Sequence, residues 1–349
     1  MEAIKIIAQL PSALLPWYDA VKRDLPWRQD KDPYHIWISE IMLQQTRVEA
    51  VKGYYARFLR ALPTVEDLAN ADDDHLHKLW EGLGYYSRVR NLKKAAQQIM
   101  QLHDGQFPGE YEKVRLLPGI GPYTAGAICS IAFNQKTPAV DGNVLRLVSR
   151  LTDDPTPIDL LAYKKQVEQM LGEIYPENAG DFTQALMELG ATICGPNREP
   201  DCGRCPCREF CLGYRNGTCC DLPVKLPKKQ RRTEEMTVFI LRCDGKIALQ
   251  KRSNKGLLAG LWQFPNAPGK MDVASAIQKM EEDGVIVKQI IAQVEREHIF
   301  THIKWDMCGV YMEVESQTPG YVWLTPEEIK TQAALPTAFR QFFQEVTYV

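Results

Sequence analysis

VRLLPGIGPYTAGAICSIAF, residues 114–133, decides how the first two thirds of this chain are read. A short apolar-periodic stretch runs into Leu117-Pro118-Gly119-Ile120-Gly121-Pro122, and a second stretch rich in small residues follows. Glycine and proline punctuate chain direction and mark a turn over Pro118–Pro122. The pattern predicts a helix-hairpin-helix. Gly119 and Gly121 let the backbone come close to an anion, and the uncapped N–H groups that begin the second helix, aided by its dipole, suit a phosphate. Such a contact positions a protein on DNA without reading its sequence.

Working outward, PYHIWISEIMLQQTRV (residues 33–48) surrounds one carboxylate, Glu40, with Ile36, Trp37, Ile38, Ile41, Met42 and Leu43. A helix apolar on nearly every face is buried, and a buried carboxyl holds its proton to higher pH, as a general acid requires. A structural ion pair with a core arginine, or a cap on a neighbouring helix, is the alternative use of such a Glu. Downstream, AVDGNVLRLVSR places Asp141 before an apolar-periodic helix, where its side chain can cap the N–H groups of Asn143 or Val144. Two carboxylates, one protonated and one fed by N–H donors, form the pair that glycosidic-bond cleavage uses.

The 349 residues predict two or three compact units. Net charge is −2, so the composition gives no global sign of nucleic acid or membrane, and any DNA-binding face has to be local. No apolar run approaches a membrane span and no export leader is recognisable, so a soluble cytoplasmic, DNA-associated protein is expected. Most of the ten cysteines crowd between Cys194 and Cys220, which favours metal over a disulfide framework. Cys194, Cys202, Cys205 and Cys211 lie in one compact loop, and four thiolates suit either zinc or a four-iron cluster. Cys207 stands inside the loop as a substitute ligand; Cys219 and Cys220 have no assigned role.

Helical periodicity extends to about residue 220. DLPVKLPKKQRRT (221–233) has the composition of a linker. Beyond it, MTVFILRC, KIALQKR and KWDMCGVYMEV read as strands, with DVASAIQKMEED and TPEEIKTQ as helices, an α+β domain over 234–349.

The strings LPWR, WISEIMLQQT, GLGYYSRVRNL, LPGIGPYTA and VDGNV, in this order, resemble the MutY family of adenine DNA glycosylases, relatives of endonuclease III. The resemblance covers nearly the whole chain. It implies a mainly α N-terminal region, 1–220, with the helix-hairpin-helix glycosylase fold: a six-helix unit over about 28–135 and an iron-sulfur unit made from 1–27 plus 136–220. It also implies one 4Fe-4S cluster on Cys194, Cys202, Cys205 and Cys211. The family spaces these cysteines by six, two and five residues; here the gaps are seven, two and five. Where the endonuclease III branch carries a lysine after the hairpin, this chain has Tyr123, so the resemblance implies a monofunctional enzyme with water as the final nucleophile, acting as a monomer.

By the same resemblance Glu40 protonates adenine, Asp141 stabilises the oxocarbenium ion or bonds to it briefly, and Tyr123 and Asn143 support them. Trp27, Arg28, Leu43 and Val48 line the pocket of the flipped base. Gln45 and Tyr85 wedge into the duplex, and Thr46 and Leu83 touch the base opposite adenine. For Leu43, Val48 and Leu83 simple core packing is the competing reading. Arg198, Arg204 and Arg208 would meet DNA phosphates. The C-terminal domain resembles the MutT-like (Nudix) fold, but the magnesium box keeps only Glu281, Glu282 and Gly284, with Gln263, Gly269, Ile277 and Gln278 elsewhere, so binding is expected there rather than hydrolysis. Phe300, Thr301 and His302 stand where the family's Phe-Ser-His turn identifies 8-oxoguanine. The partner implied is double-stranded DNA carrying an A:8-oxoguanine or A:G mispair.

Overall fold

A computed structural model describes residues 2–196, 199–227 and 230–346. Contacts divide the chain into two units, Met1–Asn70 with Arg90–Pro227, and Ala71–Val89 with Lys228–Val349.

The first unit is helical among its described residues, as its periodicity predicts. Asp32 starts the Pro33–Leu43 helix by accepting the Tyr34 N–H at 2.8 Å, with Pro33 in the first turn, and residues 36–42 are all buried. This helix packs on Pro122–Phe133, the second arm of the hairpin. Gly126 in that arm makes close approach of the following segment possible, because a Cβ there would stand 2.2 Å from the Pro138 carbonyl oxygen. The segment so admitted leads directly to Asp141 and the Gly142–Thr152 helix. A core of Ile7, Leu10, Leu14, Val144, Val148, Phe182, Leu186 and Leu189 joins the N-terminal helices to the helices before the cysteine loop.

The second unit contains a mixed sheet of strands β1 (Arg232–Cys243), β2 (Lys246–Lys251), β3 (Trp262–Gln263), β4 (Asn266–Pro268), β5 (Val287–Ile299), β6 (Ile303–Val314) and β7 (Val322–Leu324). Its order is β3-β2-β1-β6-β5, with β1 and β6 parallel and the other neighbours antiparallel. Alternate residues of β1 serve opposite faces. Val238 and Ile240 pack with Phe339 and Phe342, while Phe239 and Leu241 pack with Ala276 and Met280 of the Val273–Glu282 helix.

Three details differ from the sequence reading. β5, a 13-residue edge strand, is absent from it because Lys288, Gln289, Gln293, Glu295 and Arg296 break the apolar alternation by which strands are recognised. The stretch expected as a linker is fastened at both ends: Val224 accepts the Ile158 N–H at 3.1 Å, Asp159 accepts the Leu226 N–H at 3.0 Å, and Arg232 and Thr233 already pair with β6. The segment Ala71–Val89, expected within the helical region, shares its contacts with the second unit. Asp74 pairs with Lys251 at 2.7 Å, and Glu81 accepts from the Leu335 N–H at 3.1 Å and pairs with Arg340 at 3.0 Å.

Candidate active site

Glu40, Tyr123, Asp141 and Asn143 line one cavity of about 710 Å³ in the helical unit. The same cavity takes in Trp27, Arg28, Leu43, Gln45, Thr46, Val48, Gly119 and Gly121. Glu40 is 5 % exposed, and loss of hydration pushes its carboxyl up to about 7, with the nearby charge of Asp141 acting in the same direction. The Tyr123 hydroxyl, which donates to Glu40 Oε2 at 2.7 Å, and the Arg28 guanidinium oppose that rise. Burial against Glu40 in turn holds the Tyr123 phenol well above its ordinary value, so it stays a donor.

Asp141 caps its helix twice. Its Oδ1 accepts the N–H groups of Asn143 and Val144, each at 2.9 Å, and Oδ2 accepts the Asn143 amide at 2.6 Å. Asn143 is fixed from behind by Arg146, which donates to Asn143 Oδ1, the Gly190 carbonyl and the Cys194 carbonyl at 2.8–2.9 Å. Gly190 is small by need, since a Cβ there would lie 2.9 Å from the Asn143 Cβ.

The hairpin glycines divide their work. Gly119 has φ +79°, and its missing Cβ would stand 2.7 Å from Asn91. Gly121 is extended and faces open space at the start of the Pro122–Phe133 helix, which has no side-chain cap. The uncapped helix end and the open glycine are together suited to a phosphate oxygen.

Several cavity residues escaped the sequence reading. Gln184, Met187 and Ala191 reach it from the Ala179–Thr192 helix at a spacing of three and four residues, a helical signal that was present in the sequence. Arg23 lines it too. Beneath Arg23 and Arg28 lies Glu188, its side chain 1 % exposed, bonded to Arg23 Nε at 2.6 Å and to Arg28 Nη2 at 2.8 Å. No spacing rule links positions 23, 28 and 188.

Leu83, Tyr85, Phe300, Thr301 and His302 belong to the second unit. The Tyr85 hydroxyl and the Thr301 hydroxyl are 2.9 Å apart. Tyr85 is 47 % exposed with φ +47°, and Gln45 in the first unit is likewise exposed with φ +59°. A left-handed backbone at a non-glycine residue turns its side chain away from the preceding helical path and is a conformation found at functional turns. Leu83 is 6 % exposed, and its carbonyl accepts from Arg88 at 2.9 Å. Phe300 packs edge-on against His298 and Trp305, at 4.5 and 4.8 Å between ring centroids, while Thr301 and His302 are exposed.

In the cysteine loop, Cys194, Cys202, Cys205 and Cys211 line a single small cavity. Arg150 donates to Cys194 Sγ at 3.2 Å, the charge-assisted contact that a ligating thiolate accepts. Among the described residues no group of three or more Cys, His, Asp or Glu side chains is arranged to hold a metal ion as it stands. The shared cavity, the all-thiol donor set and the guanidinium nevertheless fit an iron-sulfur cluster. Arg204 is 78 % exposed; Arg208 lies over the Tyr214 ring at 5.1 Å; Arg198 lies outside the described residues.

The fold and the buried carboxyl site define a DNA N-glycosylase of the base-excision class. Residues 38–177 match the family of HhH-GPD superfamily base excision DNA repair proteins, and residues 237–345 match the NUDIX domain. The chain is 36 % identical to the adenine DNA glycosylase of Rattus norvegicus, over 95 % of this chain and 76 % of the relative. It is 35 % identical to that of Homo sapiens, over 95 % of this chain and 73 % of the relative. The chain therefore belongs to the adenine DNA glycosylase family. A thermostable thymine-DNA glycosylase structure is similar at 28 % identity with a TM-score of 0.54, covering 61 % of this chain and 97 % of that one. An endonuclease III structure in a covalent complex with DNA shares the fold at 21 % identity with a TM-score of 0.51, covering 60 % of this chain and 98 % of that one. No helix among the described residues is long and apolar enough to cross a membrane.

Proposed function

We propose that this enzyme hydrolyses the N-glycosidic bond of adenine mispaired with 8-oxoguanine or guanine in duplex DNA, without cleaving the strand. The observation that carries this reading is the pairing of Glu40, protonatable near pH 7 and hydrogen-bonded to Tyr123, with Asp141 in one cavity. Adenine leaves a duplex stack to enter such a cavity, whose volume is that of an ordinary small-molecule site. Glu40 donates its proton to a ring nitrogen of the base, which then departs as a neutral molecule. Asp141, held by three N–H donors, stabilises the positive charge on the sugar or bonds to it briefly, and water completes the hydrolysis. Tyr123 offers no amine at the position where a lyase needs one, so the strand stays intact.

Gln45 and Tyr85, both exposed with left-handed backbones, enter the stack left by the adenine in this reading. Thr46 and Leu83 contact the opposite base, and the Phe300–His302 turn reads its oxidation. A 4Fe-4S cluster on Cys194, Cys202, Cys205 and Cys211 orders the loop that carries Arg204 and Arg208; it supplies structure there. The test is excision from labelled duplexes carrying A:8-oxoguanine, A:G and A:T, with the products resolved before and after alkali. Breaks only after alkali, and only from the mispairs, are expected. Breaks without alkali would restore a lyase, and no excision from any duplex would leave a silent DNA-binding protein.

A further inference from the structure

The four cysteines that match the family pattern are not the only sulfurs on their cavity. Cys219 lines the same small cavity as Cys194, Cys202, Cys205 and Cys211 and is 8 % exposed. Its thiol and that of Cys202 are hydrogen-bonding partners. Cys207, which the sequence offers as the substitute ligand, is fully buried in the apolar core, bonds instead with Cys205, and does not reach the cavity wall. Cys220 is exposed.

The placement of Cys219 is fixed by its surroundings. The preceding turn closes through the Thr218 N–H to the Gly213 carbonyl at 2.9 Å. Asn216 donates to Asp153 Oδ2 at 2.8 Å, and the Thr218 hydroxyl donates to the other oxygen of the same carboxylate. Asp153 is itself the left-handed C-cap of the Gly142–Thr152 helix, so the turn is tied to the element that carries Arg150. Gly213 allows the approach: a Cβ there would stand 2.5 Å from the Arg150 carbonyl oxygen and 3.4 Å from Cys219 Sγ. A thiol held in this way beside a ligating cysteine is a soft donor of the kind iron accepts.

Resting on the iron-sulfur reading of the loop, we propose that Cys219 is a reserve cluster ligand, a fifth thiol that takes over the iron bound by Cys202 when Cys202 is lost. Cys219 gives up its thiol proton to solvent as the sulfur–iron bond forms, and where Cys202 is still present its displaced thiolate takes up a proton, so one anionic sulfur replaces another without a redox change.

The test compares iron and acid-labile sulfide per chain, with the visible absorption of the cluster, in the full-length wild type, Cys202→Ala, Cys219→Ala and the double variant, all purified without oxygen. Far-ultraviolet circular dichroism reports folding. Cys202→Ala is expected to keep at least about half of the wild-type iron and the double variant less than about a tenth, while Cys219→Ala alone keeps all of it. Equal loss in Cys202→Ala and the double variant, with the helical signal retained, overturns the proposal, as does iron loss from Cys219→Ala alone. If Cys202→Ala does not fold, Cys202→Ser with and without Cys219 decides between the same outcomes. A wild-type chain with zinc, or with neither iron nor sulfide, overturns the iron-sulfur reading itself and is distinguished by metal analysis.

Discussion

Glu40 is 5 % exposed and lines a cavity formed by several helices, and its partner Tyr123, which donates to it, is half-buried beside it. Tyr85 is 47 % exposed at the tip of a turn, and its partner Thr301 is exposed as well. Under the proposed function the two regions meet opposite physical demands. Proton donation near neutral pH requires a carboxyl stripped of water, which only a packed interior supplies, and packing makes every neighbour of Glu40 matter. Reading a base in a duplex requires a side chain already outside the protein surface, where a single hydrogen bond in competition with water contributes about 1 kcal/mol. Mutational effects should therefore be large and sensitive to pH in the first region and small but selective in the second.

The largest effect is expected from Glu40→Gln, which removes a proton and almost no volume. Single-turnover excision should fall by roughly 10²–10⁴, while mispair binding in a gel-shift assay stays within a few-fold. An equal loss of binding would break the assignment. In the wild type, excision should decline above about pH 7 as Glu40 ionises. Tyr123→Phe should move that decline to higher pH, because the hydroxyl it deletes favours the charged carboxylate; a decline at unchanged pH would remove Tyr123 from the proton balance. The linkage has a stability side. The folded protein holds the Glu40 proton more tightly than the unfolded chain, so burying the ionised form costs nothing below about pH 4.5 and about 3 kcal/mol above about 7. Glu40→Gln should melt at a higher temperature than the wild type at pH 8 and close to it at pH 4.

Glu188→Gln ranks next. It leaves Arg23 and Arg28 without their shared carboxylate, and a broken ion pair with one partner buried costs about 3 kcal/mol. Chemical denaturation would show it. Since Arg28 also lines the cavity, excision should slow by about tenfold even well below the denaturation midpoint. Full activity in a destabilised variant would confine Glu188 to structure.

How much of this was legible follows from where the signals lie. The hairpin, the buried helix around Glu40 and the cap at Asp141 are local patterns, spanning a few turns of chain, and their physical reading needs only neighbours in sequence. The pairs Glu188 with Arg28, Arg146 with Cys194, and Glu81 with Arg340 join distant positions whose residue types are ordinary on any surface. Strand β5 was illegible for a related reason: an edge strand keeps charge on its open side and loses the alternation that reveals a strand. Cys219 matched no spacing, and only the turn closed by Gly213 and Thr218 brings it to the cavity of the other four.

The smallest expected effect sharpens the comparison most. Tyr85 and Thr301 come from segments more than two hundred residues apart, yet their hydroxyls are 2.9 Å apart. If the pair acts as one reader, Tyr85→Phe and Thr301→Ala should each reduce the preference for 8-oxoguanine over guanine by a few-fold, and the double variant should do no worse than either alone. That non-additivity is the mark of two groups sharing one interaction. Excision from A:G should change little in all three, because Glu40 and Asp141 are untouched. Additive losses would mean that each side chain meets the DNA on its own. A fall in A:G excision as large as that in A:8-oxoguanine would show the pair holding the duplex without reading it, which the exposure of both side chains allows but their mutual hydrogen bond does not require.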